Sequence, residues 1–256
     1  MGLDAFVPCR CWEDGRTTEP PVPRSSIVRV DGMLDLTLPY DGHEQRWGEF
    51  DAWIHNGCGH RDMEYAAAHI GNWPEYRQLQ WALGAAGWDR FPMLQRILPE
   101  GNGGKATPEE AAVALNELGT FLSAGPIGAR TEVYDGMTGE PIATENPAYG
   151  YRFVIGPEYA VGVDANGIFV VSTPADEELF RARRVRQRTD GDRAWLSDLD
   201  RPGQAEILVP GVIGGGASLL LTRSRSYNAA DFAGTVEALR TVFNASVEIR
   251  TSVFWS

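Results

Sequence analysis

The residues best suited to metal or nucleophile chemistry are crowded at one end of the chain. Cys9, Cys11, His43, His55, Cys58, His60 and His69 account for every cysteine and histidine among 256 residues. Two close pairs stand out, Cys9-Arg10-Cys11 and Cys58-Gly59-His60. Thiolate and imidazole are the donors zinc prefers, four of them in a tetrahedron. Cys9, Cys11, Cys58 and His60 offer three sulfurs and one nitrogen, and they are the candidate ligand set for a zinc cofactor. Residues two apart on a strand share a face, so Cys9 and Cys11 can serve one ion. Paired zinc cysteines are usually two or more residues apart, and here both pairs are separated by one.

A metal-free reading stays open. Cysteine packs readily into cores, and His60 could instead bond a carboxylate such as Asp62 or Glu64. If zinc is bound, a closed set of four ligands is structural. Three ligands and an open position would activate water for catalysis, with Glu44, Asp62 or Glu64 as candidate bases nearby in sequence. The spacing of His60 and Glu64 matches neither H-E-x-x-H nor the zinc-deaminase H-x-E signature. A Cys-His nucleophilic pair using Cys58 or Cys11 is a third option, without the local patterns of papain-like or caspase-like enzymes.

Other motifs fall short of chemistry. GNGGKAT has Leu98 where Walker A needs its first glycine, and Ala106 where it needs Ser or Thr; it reads better as a loop before a helix cap. There is no G-x-S-x-G elbow and no G-x-G-x-x-G after a strand. FRARRVRQR (180–188) places five arginines in eight positions. It reads as a salt-bridged surface, paired across helix turns with Asp176, Glu177 and Glu178, or as a clamp for phosphate or an acidic partner. Tryptophans 12, 47, 53, 73, 81 and 88 cluster early and suggest a core in the first half; an aromatic-walled pocket for a small molecule is the alternative.

The elements that would position these residues are legible in outline. LDAFVPC (3–9) reads as a strand, and Asp31-Gly32 as the turn of a short hairpin. Helices are expected to dominate 62–123. Pro74 opens one that stops near Gly87. Thr107, Pro108 and Glu110 form a capping-box start for another, with Ala111, Leu115, Leu118 and Leu122 on one face. From about residue 130 the pattern turns to strands: EVYDGMTGEPIA, YAVGVDANGIFVVS with Asn166-Gly167 in its turn, EILV (206–209) and ASLLLT (217–222). Asn228 caps a helix carrying Phe232, Val236, Leu239 and Phe243. SVEIRTSVFW reads as a last strand. Strands and helices are segregated, so the fold expected is α+β: N-terminal strands, a helical middle and a mainly antiparallel C-terminal sheet with one helix. A single domain over 1–256 is expected, with a weak boundary near 124–130.

The opening M-G-L-D-A-F-V-P-C-R-C-W-E-D-G, with C-G-H-R-D-M-E and L-P-E-G-N-G-G after it, resembles a group of uncharacterised bacterial proteins. Their starts have the form M-G-x-D-x-x-V-x-C-x-C, with a later C-x-H. The resemblance touches most of the first 125 residues and implies no activity, substrate or catalytic residue.

Composition narrows the setting. Apolar residues make up 43% and charged residues 23% of the chain, as in an ordinary globular protein. No apolar run is long enough for a membrane helix, and the N-terminus lacks the basic and apolar regions of a signal peptide. The chain therefore reads as cytoplasmic. Gly2 would suit myristoylation, but Phe6 stands where Ser or Thr is wanted. Of 23 basic residues only Lys105 is lysine, which suggests a GC-rich bacterial genome. The net charge of -12 disfavours nucleic acid and anionic membranes and suits a basic protein partner. The expectation is a zinc-organised binding or inhibitory protein, of the type that gives immunity to a basic bacterial effector. The alternative is a zinc-dependent hydrolase or other small-molecule enzyme.

Overall fold

Pairing between segments far apart in sequence sets this architecture more than local propensity does. The computed structural model describes residues 2–146 and 151–256. In chain order the elements are β1 (Gly2–Pro8), β2 (Ile27–Val30), β3 (Met33–Leu36), α1 (Glu44–Asn56), β4 (Glu64–Asn72), α2 (Trp73–Gly87), α3 (Pro92–Ile97), β5 (Lys105–Ala106) and α4 (Pro108–Leu122). Strands follow: β6 (Pro126–Asp135), β7 (Pro141–Thr144), β8 (Arg152–Ile155), β9 (Tyr159–Asp164) and β10 (Gly167–Ser172). After them come β11 (Glu177–Ala182), β12 (Arg184–Asp190), β13 (Arg193–Asp198), β14 (Ile207–Pro210) and β15 (Leu219–Asn228). α5 (Ala233–Ile249) and β16 (Val253–Trp255) complete the order. The fold is α+β. Among the described residues no helix is long and apolar enough to cross a membrane.

In place of the single domain expected, the chain forms two compact units: Met1–Gly125 with Asn228–Ser256, and Pro126–Tyr227. The first junction lies within the 124–130 segment. The first unit is discontinuous in sequence because its sheet has the order β4-β1-β16-β5. β1 is an internal strand, antiparallel to both β4 and β16, and Leu3, Ala5, Phe6 and Val7 are all buried. Helix α5 packs on β1, β4 and α4.

Local chemistry explains the helix starts. Thr107 accepts the Glu110 N–H while the Glu110 carboxylate accepts the Thr107 N–H, a reciprocal cap. Asn72 and Glu75 do the same for α2. The buried face of α4 is Ala111, Ala114, Leu118 and Phe121, centred one position away from the face expected, so Leu115 and Leu122 are only half-buried. Glu117 is buried on that face because its carboxylate accepts the N–H groups of Met93 and Leu94, capping α3, which has no side-chain cap of its own.

Two expectations are corrected. Residues 64–72 form a strand, not a helix: pairing along the whole of β1 overrides the helix propensity of Ala66, Ala67 and Ala68. Residues 246–249 are helical, and the last strand is only Val253–Trp255. Ser246 and Ala245 are buried on the α5 face, and Arg250 ends the helix in the left-handed conformation, φ 54°.

The second unit is built from two sheets, β11-β10-β9-β8 and β14-β13-β12-β15-β6-β7. They share a core that includes Val133, Val163, Ile168, Val170, Phe180, Val185, Leu196 and Leu220. The hairpin β9–β10 turns at Ala165-Asn166, one residue earlier than expected. Gly167 follows at φ 127°, where a Cβ would lie 2.6 Å from the Ala182 carbonyl oxygen. The arginine-rich stretch 180–188 lies on β11 and β12 and not on a helix, yet Arg181 does pair with Glu178, at 2.6 Å along β11.

Candidate metal centre

The register of β1 on β4 brings the two ligand pairs together. Pairing runs from Gly2 opposite Asn72 to Pro8 opposite Glu64, and the Cys9 N–H continues it by donating to the Met63 carbonyl at 2.8 Å. The exit of β1 therefore lies beside the approach to β4. That approach is tightly folded: Asp62 and Met63 both take left-handed backbone, at φ 56° and 55°, a costly conformation that surrounding contacts must hold. The Asp62 carboxylate is bonded to His55 Nδ1. The loop after Cys11 is fastened to the end of α1. The Thr18 N–H donates to the Gly57 carbonyl at 2.7 Å, and the Trp53 indole N–H donates to the Thr18 carbonyl at 3.1 Å. Gly57 must be glycine, since a Cβ there would sit 2.6 Å from the Trp53 carbonyl oxygen.

All four sequence-predicted ligands meet. Their donor atoms lie within 4.8 Å of one another, with Cys9 and Cys11 buried and Cys58 and His60 half-buried. Cys9 Sγ and Cys58 Sγ are 3.7 Å apart. His60 presents Nδ1, 3.4 Å from Cys11 Sγ and 3.9 Å from Cys58 Sγ. Zinc–sulfur bonds of about 2.3 Å and a zinc–nitrogen bond of about 2.0 Å give tetrahedral edges of roughly 3.8 Å between sulfurs and 3.5 Å between sulfur and nitrogen. The Cys9–Cys58, Cys11–His60 and Cys58–His60 separations are of that size. The His60 backbone N–H donates to Cys58 Sγ at 3.4 Å, an outer contact that orients the sulfur and stabilises negative charge on it.

Without a cation this is a poor place for thiolate. Burial above all pushes the Cys9 thiol up to about 12, against a lowering hydrogen bond from the Cys11 backbone and with Cys58 adding to the rise, and burial also raises Cys11. A divalent ion reverses that balance, because ligand thiols give up their protons to it. The donor set therefore fits a soft or borderline metal such as zinc.

The cluster sits at the edge of a small aromatic core. Cys9 and Cys11 pack with Val22, Ile27, Leu36, Phe50, Trp53 and Met63, and Trp12, Trp47 and Tyr65 lean on them. The Trp12 and Trp53 rings meet edge to face at 5.6 Å, and Arg24 covers Trp12 at 4.0 Å. These early tryptophans are packed into the core. The cavity beside the cluster, about 450 Å³, is walled instead by Arg10, Asp14, Arg16, Tyr65 and Ile249, with Cys9 and His60 at its base. Sequence reading missed these wall residues. Arg10 was signalled by its place between two ligands, whereas nothing local could have brought Ile249 here.

The candidate bases lie elsewhere. Glu44 accepts the Gly42 N–H at the start of α1. Asp62 is held by His55 and Arg61. Glu64 lies on β4 opposite Pro8, its carboxyl raised by burial and by the charges of Asp62 and Asp4. Asp14 is the acid that lines the cavity, and it is taken up by Arg16 at 2.8 Å and Arg10 at 3.7 Å.

Comparison with protein families, with curated proteins and with solved structures finds no match to this chain.

Proposed function

We propose that Cys9, Cys11, Cys58 and His60 hold a structural zinc ion, and that the protein acts by binding a partner rather than by turnover. The observation that carries this reading is the convergence of four donor atoms, three sulfurs and one nitrogen, within 4.8 Å of one another. Four protein ligands leave no position for a substrate or an activated water. The net charge of -12 supports a basic protein as the partner, in the manner of an immunity protein that masks a cationic effector.

The competing enzyme reading, a zinc hydrolase, draws on the cavity beside Cys9 and His60. It needs one cysteine to give way to water and a free carboxylate to act as base, and Asp14 is already engaged by two arginines. A cysteine nucleophile needs a lowered thiol pKa, and burial shifts Cys11, one of the two candidates, the other way.

Elemental mass spectrometry on protein purified without an affinity tag tests the metal. One equivalent of zinc, lost in Cys58→Ser together with the folded state, is the expected result. Zinc retained in that variant would overturn the ligand set. Zinc retained together with turnover of a small molecule that depends on Asp14 would replace the binding reading with the enzyme.

A further inference from the structure

Strand alternation on β12 buries Val185 and Gln187 and leaves Arg184, Arg186 and Arg188 exposed on the opposite face of the six-stranded sheet. Neighbouring strands add to that face in register. Trp195 and Ser197 of β13 stand opposite Arg188 and Arg186. Leu219 and Leu221 of β15 stand opposite Arg186 and Arg184, and Arg223 and Arg225 lie further along β15. Arg193 lies on β13 two residues before Trp195.

The carboxylates on this face are fewer than the guanidinium groups. Glu132, only 1% exposed, holds both Arg223 and Arg225 at 2.6 and 3.3 Å. Asp200 meets Arg184 at 3.3 Å and Glu206 meets Arg188 at 3.4 Å, all four well exposed, so these contacts are weak and easily exchanged. Among the described residues Arg186 has no carboxylate within ion-pair distance, and Arg193 stands opposite Asp190 in the register without an ion pair to it.

We propose that this face docks an extended acidic segment of a partner protein, with its alternate carboxylates on Arg184, Arg186 and Arg188. Same-face residues of a strand recur every ~6.7 Å. A bound segment in extended form presents its own alternate side chains at that interval, so three guanidinium groups in a row match three acids at every second position. Guanidinium is the cation suited to two-pronged carboxylate recognition. The rings on this face favour carboxylates over nucleic-acid bases. Arg188 already covers Trp195 at 4.3 Å and Arg223 covers Tyr134 at 4.6 Å, so neither ring is open for base stacking. This surface is independent of the zinc reading and serves a partner of opposite charge.

The test uses the full chain with its metal and a short fluorescein-labelled peptide bearing Glu at every second position, followed by fluorescence anisotropy. Controls are a peptide of the same composition with its Glu residues in one block, and an oligothymidylate. Binding that weakens with salt and falls about tenfold or more in Arg186→Glu, with Arg46→Glu on α1 behaving as wild type, is the expected result. The double variant Arg186→Gln, Arg193→Gln removes charge without reversing it and should fall in the same direction. Absence of peptide binding, equal loss in Arg46→Glu, equal affinity for the blocked peptide or tighter binding of the oligothymidylate would each overturn the proposal.

Discussion

Around the candidate metal centre, eight residues form the buried cluster, two of them cysteines, and one helix and one hairpin pack over it. In the unit Pro126–Tyr227 the buried cluster has fourteen members, supplied by the facing sides of two sheets. The cluster at the metal centre is a satellite, since the same unit also buries Leu79, Leu83, Leu118, Phe121, Leu239 and Phe243 on α2, α4 and α5. The two-sheet unit has no cysteine or histidine at all. Its polar investments are ion pairs instead: Glu132 under two arginines, and Asp198 with Arg201. The soft ligands gather where loops, rather than long paired elements, bound the packing. Where paired strands close the core, charge decorates the surface.

The largest expected effect breaks this comparison on one side only. A structural zinc contributes on the order of 10 kcal/mol to folding, comparable to the whole stability of a domain. Chelation, or Cys58→Ser, should abolish the thermal transition of the first unit and expose its tryptophans, leaving the transition of Pro126–Tyr227 in place. Calorimetry and limited proteolysis read both at once. Loss of both transitions together would show that the units do not fold independently.

The converse variant is Glu132→Ala. Removing the buried carboxylate from beneath Arg223 and Arg225, which are half-exposed and can be solvated in its absence, should cost about 1.5–3 kcal/mol, confined to the second transition, with zinc content unchanged.

Acid should act next, and again on the second unit. Burial pushes the Asp198 carboxyl up, but the Arg201 guanidinium and the Asp200 N–H outweigh it and hold the group below its ordinary 3.8. A group with a lowered folded pKa contributes stability above its unfolded value and loses it as pH falls through the folded one. The second transition should therefore weaken progressively below pH 3.8, and Asp198→Asn should flatten that limb of the melting profile. The smallest effect is expected for Arg188→Ala, which removes an exposed pair with Glu206 and should change stability by less than ~1 kcal/mol. A larger loss would assign the arginine row to holding the sheet rather than to an open face.

The clustering of the four candidate ligands and the starts of α2 and α4 were legible because they depend on residue type and short spacing, whereas α1 (Glu44–Asn56) was not expected. Cys9, Cys11, Cys58 and His60 are recognisable by chemistry alone, and the Thr107–Glu110 cap by four consecutive positions. The hairpins around Asp31-Gly32 and in 159–172 follow from turn chemistry and alternation. What was missed depends on partners distant in sequence. Residues 64–72 look helical until β1 is laid beside them. Glu117 looks like a solvent-facing acid until α3 offers two N–H groups with no other cap. The arginines of 181–188 look like one helical patch, but the strand period puts Arg184, Arg186 and Arg188 on one face of β12 while Arg181 lies on β11 of the other sheet. The division into two units was equally hidden, since it rests on β16 pairing with β1 across more than two hundred residues.

That last pairing has a consequence for the order in which the molecule can be assembled as it is made. All four candidate ligands leave the ribosome early, and β4 follows them soon enough to pair with β1. The sheet of β4, β1, β16 and β5 nevertheless lacks an internal strand until Val253–Trp255 is synthesised. By then the whole of Pro126–Tyr227, which is continuous in sequence, has emerged and can close its own core, as domains generally fold as units during synthesis. The first unit is begun first and finished last, and an early-bound metal would hold its opening segment in shape through the wait.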